Sequence, residues 1–328
     1  MEKILIIHRG ALGDFILAQP ALKTLVKYHP NASFALMGNT SILKVASNEE
    51  YYGTCISFDL AGIASFYSQN QVLNKDLTDF FSSFDCIFIF TVKSDAIFIY
   101  NLERIGCKKI YSIPFQPDSE KAEHIIDCQL NALADMGYFP NSKIPRISVY
   151  NDGPNKQSIN KPYLVFHPGS GGRRKIWPEE NMVALIEKCN EILNAEIRII
   201  QGEADELPVS KIAHSLKCAY TIIKDMELTE LALLLSGSRG YIGNDSGISH
   251  LVAAARAQSV VVFGPTDPNV WGPRGENVRI LWKGIPCSPC YTIRDECQSR
   301  TCLYSITPDD VWNVVSVLFY INIHSAGT

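Results

Sequence analysis

Four short segments of the sequence combine glycines with hydroxyl, acidic or basic side chains, and each follows an apolar run. They are HRGALGD at 8–14, FHPGSGGRRKIWP at 166–178, QGEADE at 201–206 and GNDSG at 243–247. Glycine lets the backbone approach a ligand closely, and the N-terminus of a helix presents unpaired N–H groups to an anion. Segments of this kind are typical of a site that binds a phosphorylated ligand.

The first segment ends in Asp14, which has two interpretations. As an N-cap, its carboxylate would accept a hydrogen bond from the start of the helix that follows. As a general base, it would take a proton from a substrate hydroxyl within hydrogen-bond reach. The segment lacks the G-x-G-x-x-G spacing, which argues against a dinucleotide site.

The second and third segments could bind a nucleoside diphosphate. Backbone donors near Ser170 and Gly171 are followed by three cations, of which Lys175 could neutralise the charge on a departing phosphate. Glu203 in the third segment could accept hydrogen bonds from a ribose diol. The alternatives are a solvated basic turn for the second segment and a surface acidic loop for the third.

The fourth segment places a turn between a strand and a helix. Asp245 and Ser246 are good caps, and Ser246 with Gly247 also makes a small anion-binding nest. His250 falls on the first turn of the helix, where its imidazole could donate to a phosphate or pack in the core.

Four of the ten cysteines are clustered as C-x2-C-x6-C-x4-C, at Cys287, Cys290, Cys297 and Cys302. This spacing is compact enough for four thiolate ligands of a structural zinc or iron ion. The alternative is a loop that carries free thiols.

The elements that position these segments alternate between apolar runs and helical patterns. Strands are expected at Lys3–His8, Ser33–Met37, Asp85–Phe90 and Lys108–Ile113, and the pattern restarts with a strand at Tyr163–His167. Such alternation predicts an α/β fold of two doubly wound parallel-sheet domains, with a cleft at the carboxyl ends of the strands.

The polar stretch 151–161 reads as a linker between residues 1–155 and residues 156–328. The last helix, about 307–321, could pack back on the N-terminal domain. An early helical pattern, Asp14–Tyr28, contains Pro20, which is expected to kink it or to delay its regular part.

Composition excludes some classes of function. The net charge of −4 gives no footprint for nucleic acid, and no apolar run reaches the roughly 20 residues that span a bilayer. The start of the chain reads as a strand rather than a signal peptide, so we expect a cytoplasmic protein with, at most, peripheral contact with a membrane surface.

Four segments follow one another along the chain in this order: HRGALGD, FHPGSGGRRKIWP, YIGNDSGISHLVAA and VVVFGPTDPNVWGP. Through these segments the chain resembles glycosyltransferase family 9, the heptosyltransferases of lipopolysaccharide core synthesis. The resemblance implies a GT-B fold of two facing Rossmann-like domains, with the acceptor on the N-terminal domain and the nucleotide sugar on the C-terminal one. It also implies inverting transfer from ADP-heptose to a Kdo or heptose acceptor, without a catalytic metal or other cofactor.

The resemblance assigns roles to individual residues. Asp14 corresponds to the catalytic base and Lys175 to the phosphate-binding lysine. The donor-binding set comprises Gly13, Ser170, Gly171, Lys175, Glu203, Asp245, Ser246, Gly247 and His250. Arg9, Gly10 and Ala11 stand where relatives often carry a hydroxyl pair, which leaves the acceptor open. A sugar-nucleotide epimerase and a non-catalytic nucleotide-sugar-binding protein are the alternative functions.

Overall fold

The computed structural model describes residues 1–49, 51, 53–69, 71–92, 95–117, 122–149, 162–290, 297 and 299–320. The linker predicted at 151–161 therefore lies outside the described residues. Contacts divide the chain into two compact units, Met1–Ser148 and Val149–Thr328.

The described part of the first unit contains a sheet of five parallel strands in the order β3-β2-β1-β4-β5. The strands are β1 Lys3–His8, β2 Ser33–Gly38, β3 Thr54–Ser57, β4 Cys86–Thr91 and β5 Ile110–Pro114. The helices are α1 Leu12–Leu17, α2 Gln19–Tyr28, α3 Thr40–Leu43, α4 Lys75–Ser82, α5 Ala96–Arg104 and α6 Ile125–Asp135. The four predicted strands are confirmed to within two residues.

The central strand β1 explains why this sheet is covered on both faces. Its Ile4, Leu5, Ile6 and Ile7 side chains are all fully buried, so both faces of the strand are apolar. The expected helix 14–28 is divided at Ala18. Pro20 lies in the first turn of α2, where the backbone N–H groups have no partner within the helix, so proline costs no helical hydrogen bond. The break ends α1 close to Asp14.

The described part of the second unit contains six parallel strands in the order β11-β10-β9-β6-β7-β8. They are β6 Tyr163–His167, β7 Glu196–Gln201, β8 Tyr220–Lys224, β9 Gly240–Asn244, β10 Ser259–Val262 and β11 Val278–Leu281. The helices are α7 Glu179–Leu193, α8 Glu206–Ser215, α9 Leu228–Ser236, α10 Gly247–Ala254, α11 Pro268–Trp271, α12 Thr301–Tyr304 and α13 Pro308–Tyr320. The strand order reverses between β6 and β9, at the middle of the sheet. Because the second and fourth glycine segments follow these two strands, they lie next to each other.

The last helix, α13, contributes to the core of the second unit. Its buried side chains Val311, Val315 and Phe319 belong to the core of the second unit, with the apolar residues of β6 and α7. The apolar face of the helix therefore packs within the second unit, where the small size of Gly240 makes room for it. A β-carbon at Gly240 would lie 2.2 Å from the Phe319 ring, so β9 leaves room for this helix only because it begins with glycine.

Among the helices in the described ranges, none combines the length and the apolar character that crossing a membrane requires.

Candidate active site

Asn244, the last residue of β9, holds both ends of the glycine-rich loop 168–177. Its side chain is fully buried. Its amide nitrogen donates to the Pro168 carbonyl at 2.8 Å, and its amide oxygen accepts from the Trp177 backbone N–H at 3.1 Å. A buried side-chain amide whose nitrogen and oxygen are both hydrogen-bonded fixes two segments of backbone at once. Sequence reasoning missed Asn244, although it lies within the GNDSG segment.

The loop and the turn after β9 meet through Lys175 and Asp245. The Lys175 ammonium lies 2.9 Å from the Asp245 carboxylate, and the Ser170 hydroxyl donates to the Asp245 carbonyl at 2.6 Å. Asp245 is buried, whereas the Lys175 side chain keeps 30% exposure. The structure therefore brings together three predicted donor-binding residues, and the partly exposed ammonium retains donors for an anion.

The glycines of the loop border an open cavity of about 610 Å³. A β-carbon built on Gly171 or Gly172 meets no atom within 4 Å, so the backbone there faces free space. This volume falls in the range of roughly 300–1,000 Å³ usual for small-molecule sites. Part of its lining is basic, from Arg173, Arg174, Lys211 and Arg300.

The turn after β9 leads into α10 as the sequence predicts. Ser246 is the N-cap, its side chain accepts from the Ser249 backbone N–H, and Gly247 is the first helical residue. The amides at such a helix start have no partner within the helix and can bind an anion. His250 lies in the first turn and is buried.

A buried His167–Asp205 pair lies beneath the loop, and sequence reasoning did not single out either residue. The His167 Nε2 lies 2.9 Å from the Asp205 carboxylate, and its Nδ1 lies 3.2 Å from the Ser246 hydroxyl. Burial alone would raise the pKa of the Asp205 carboxyl, but hydrogen bonds from His167 and from the Gly202 and Ser170 amides hold that pKa below its usual range. Asp205 is therefore an ionised acceptor at neutral pH.

Glu203 lies two residues before Asp205, in a short 3-10 segment, and is exposed. Its neighbours Ala204 and Leu207 line the cavity. The segment QGEADE thus contributes one of its three carboxylates, Asp205, to the buried network and leaves Glu203 and Glu206 exposed. No spacing within the segment indicates which of its carboxylates is buried.

In the first unit, Asp14 is the third residue of α1 rather than its N-cap. The N-cap is Ala11, whose backbone N–H donates to the Asp14 carboxylate at 3.0 Å. The carboxylate lies at the helix start because the capping interaction runs backward from the third position. Gly13 precedes it within the same turn and is partly exposed, as Asp14 is.

His8 and Arg9, which precede Asp14 in the chain, each contact side chains of the first unit. His8 is buried against the rings of Phe15 and Phe90, and this burial lowers its pKa from 6.5 to about 3. His8 is therefore neutral at ordinary pH. Arg9 forms an ion pair with the buried Asp95 and lies over an aromatic ring of Phe58.

The structure describes all four cysteines that the sequence predicts as metal ligands. Over the described ranges, which include all four clustered cysteines, no three Cys, His, Asp or Glu side chains form a group that could hold a metal ion. The thiol of Cys290 donates to the Cys287 carbonyl, and Cys297 contacts the Ser299 hydroxyl instead. Residues 291–296 and 298, which connect them, lie outside the described residues.

Solved structures of similar fold match both units of the chain. The structure matches a glycosyltransferase family 9 protein from Veillonella parvula with a TM-score of 0.78 over 97% of both chains, at 17% identity. It matches E. coli ADP-heptose lipopolysaccharide heptosyltransferase II with a TM-score of 0.74, over 98% of this chain and 99% of the other, at 17% identity. The likeness extends over both parallel-sheet units, which have the GT-B fold.

Sequence comparison identifies the family. The model of glycosyltransferase family 9 (heptosyltransferase) matches residues 117–300, more than half of the chain. The chain belongs to this family.

Two curated relatives show how far the likeness extends. Lipooligosaccharide heptosyltransferase 2 of Campylobacter jejuni is 25% identical over 311 residues, which cover 92% of this chain and 93% of the relative. Lipopolysaccharide heptosyltransferase 1 of Pseudomonas aeruginosa is 32% identical over 150 residues, and that match covers 45% of this chain and only 40% of the relative.

Proposed function

We propose that this chain transfers heptose from ADP-heptose to a Kdo or heptose acceptor of the lipopolysaccharide core. The observation that carries the proposal is the ion pair of Lys175 with Asp245, set between an open glycine-rich loop and the N-terminus of α10. Supporting it, structures of similar fold have been solved with ADP and with ADP-2-deoxy-2-fluoro heptose.

In the proposed donor complex, the diphosphate is bound by backbone amides and one ammonium. Ser170 and Gly171 contribute from the loop, and Ser246 and Gly247 contribute from the start of α10. Lys175 shares its donors between Asp245 and the phosphate oxygens, so positive charge is available as the leaving group becomes more negative. Gly13 and His250 complete the proposed donor set, and Glu203 is assigned to the ribose diol because it lies at the carboxyl end of β7.

The proposed reaction is a single displacement with inversion, and Asp14 is the general base. The acceptor hydroxyl oxygen attacks the anomeric carbon from the side opposite the diphosphate, and the bond from that carbon to the phosphate oxygen breaks. Asp14 receives the hydroxyl proton, and ADP departs with the bonding electron pair. The charges required come from Lys175 and the amides, so the proposal includes no metal or other cofactor.

On this proposal the chain works in the cytoplasm. A lipopolysaccharide-core acceptor is carried on a lipid, so we also propose peripheral contact with the inner-membrane surface.

The decisive experiment measures ADP release from ADP-heptose with and without two lipopolysaccharide acceptors, one truncated at Kdo and one truncated after the first heptose. Release that depends on acceptor, with heptose recovered on the lipid by mass spectrometry, supports the proposal. An epimerase would alter the sugar without acceptor, and a binding protein would bind ADP-heptose with no turnover. Either result would contradict the proposed transfer.

A further inference from the structure

The buried network beneath the donor loop contains a chain of three side chains from three different segments. Asp205 follows β7, His167 ends β6 and Ser246 caps α10. The side chains of Asp205 and His167 are 8% and 4% exposed. Burying a carboxylate and an imidazole costs free energy unless both are fully hydrogen-bonded, so the arrangement requires a physical reason beyond packing.

The hydrogen bonds determine which nitrogen of His167 carries the proton. The ionised Asp205 carboxylate can only accept, so the Nε2 nitrogen at 2.9 Å must donate. The tautomer that carries its proton on Nε2 leaves Nδ1 as an acceptor, and the Ser246 hydroxyl lies 3.2 Å from Nδ1, within reach to donate to it.

The remaining partners of Ser246 agree with this direction. The Ser249 hydroxyl donates to the Asn244 carbonyl at 2.5 Å, so its own proton is already used. The Ser246 oxygen accepts from the Ser249 backbone N–H, which is the N-cap interaction of α10. The Ser246 hydroxyl proton thus has two acceptors inside the protein, His167 Nδ1 at 3.2 Å and the Ser249 oxygen at 3.4 Å, and the shorter contact is the one with His167.

Asp205 couples the same chain to the glycine loop. A β-carbon at Gly169 would lie 1.8 Å from an Asp205 carboxylate oxygen, so the loop backbone rests directly on this carboxylate. The Gly202 backbone N–H also donates to Asp205, at 3.0 Å. One buried pair thus supports both the loop and the turn to which the proposed function assigns the diphosphate.

We propose that His167 is a positioning residue for the donor diphosphate. His167 accepts a hydrogen bond from the Ser246 hydroxyl and so orients the cap of α10. The Ser246 and Gly247 amides, and not the Ser246 hydroxyl, then bind the phosphate oxygens. This inference rests on the proposed function, because it requires that the diphosphate binds at this turn.

A matched pair of variants separates the two contacts of His167. In His167→Asn, the side-chain amide oxygen can occupy the place of Nδ1 and accept from Ser246, while the contact with Asp205 is lost. In His167→Gln, the terminal amide can reach Asp205, while the acceptor for Ser246 is lost. ADP binding is measured by calorimetry, and adenosine binding by ligand-observed NMR, since adenosine lacks the phosphates.

We expect His167→Gln to weaken ADP binding about five- to tenfold, the size of effect expected for the loss of one hydrogen bond. Adenosine binding should be unchanged, and His167→Asn should recover most of the lost ADP affinity. Ser246→Ala also removes the cap contact with the Ser249 N–H, so it should weaken ADP binding at least as much as His167→Gln does. The double variant should bind ADP no more weakly than Ser246→Ala alone, because both substitutions remove the hydrogen bond between His167 and Ser246.

Three results would overturn the inference. They are ADP affinity in His167→Gln within twofold of the parent chain, an equal loss of adenosine binding, and losses that multiply in the double variant. If His167→Gln does not fold, Ser246→Ala alone decides by the same ADP and adenosine comparison. A parent chain that binds no ADP would instead refute the proposed function, which keeps the two failures distinct.

Discussion

At the scale of single residues, Asp14 is the sharpest test of the proposed chemistry. We expect Asp14→Asn to lower turnover by about a hundredfold or more, because a positioned base contributes roughly 10²–10⁴ to a rate. The asparagine oxygen can still accept from the Ala11 N–H, so the start of α1 should stay capped. The measurement is acceptor-dependent ADP release at saturating ADP-heptose.

The control for this variant is ADP binding, which should be unchanged, together with an unchanged melting temperature. Turnover within about tenfold of the parent chain would show that another group takes the proton, since so small a loss is below the usual contribution of a base.

Asp205 gives a prediction about pH. Its folded-state pKa is depressed, so its ionised form stabilises the fold above the unfolded value of about 3.9, and that stabilisation is lost as pH falls through the lower folded value. We expect the difference in unfolding free energy between the parent chain and Asp205→Asn to be constant above about pH 5 and to shrink below about pH 4. Urea titrations at pH 7 and pH 3.5 measure it, and a difference that grows in acid would contradict the assignment.

At the scale of elements, the conformation of loop 168–177 depends on one glycine. Gly169→Ala would drive a methyl group against the buried Asp205 carboxylate, whereas Gly171→Ala points into free space. We expect Gly169→Ala to lower the unfolding free energy by about 1–3 kcal/mol, as overpacking does, and Gly171→Ala to change it by less than about 0.5 kcal/mol. Equal values for the two variants would show that the loop adjusts freely.

The elements also show what sequence reasoning could reach. The strands and the loops at their carboxyl ends were predictable, because apolar period and glycine position are local properties of the chain. Residues that act between segments were not. His167 meets Ser246 across 79 positions and Asp205 across 38, and no spacing within QGEADE indicates which carboxylate turns inward.

The cysteine cluster stays a prediction for a related reason. Sequence spacing gave four thiols within 16 residues, from Cys287 to Cys302, but not the directions in which they point. Cys302 is buried beside Leu303 in the core of the second unit, while Cys287 is exposed. Ligand spacing therefore predicts a metal site only when the backbone between the ligands also turns them toward one point.

At the scale of the whole molecule, the position of α13 predicts that the last helix stabilises the second unit. Phe319 is fully buried there, whereas Val317 on the same helix is 61% exposed. We expect Phe319→Ala to cost about 3–5 kcal/mol of unfolding free energy, the usual loss for a buried aromatic ring. Val317→Ala is the matched control and should be nearly neutral, and a similar cost for both would place the helix outside the core.

The two units can be followed separately, because all four tryptophans, Trp177, Trp271, Trp282 and Trp312, lie in the second. Tryptophan fluorescence therefore reports unfolding of that unit alone, whereas far-ultraviolet circular dichroism reports both. If ADP binds as proposed, it should stabilise the unit seen by tryptophan by about 2.7 kcal/mol at a hundredfold excess over its Kd. Lys175→Ala should abolish most of this gain, because the ammonium then no longer meets the phosphates. An ADP-dependent shift in circular dichroism without a shift in tryptophan fluorescence would place the nucleotide on the first unit and refute the donor assignment.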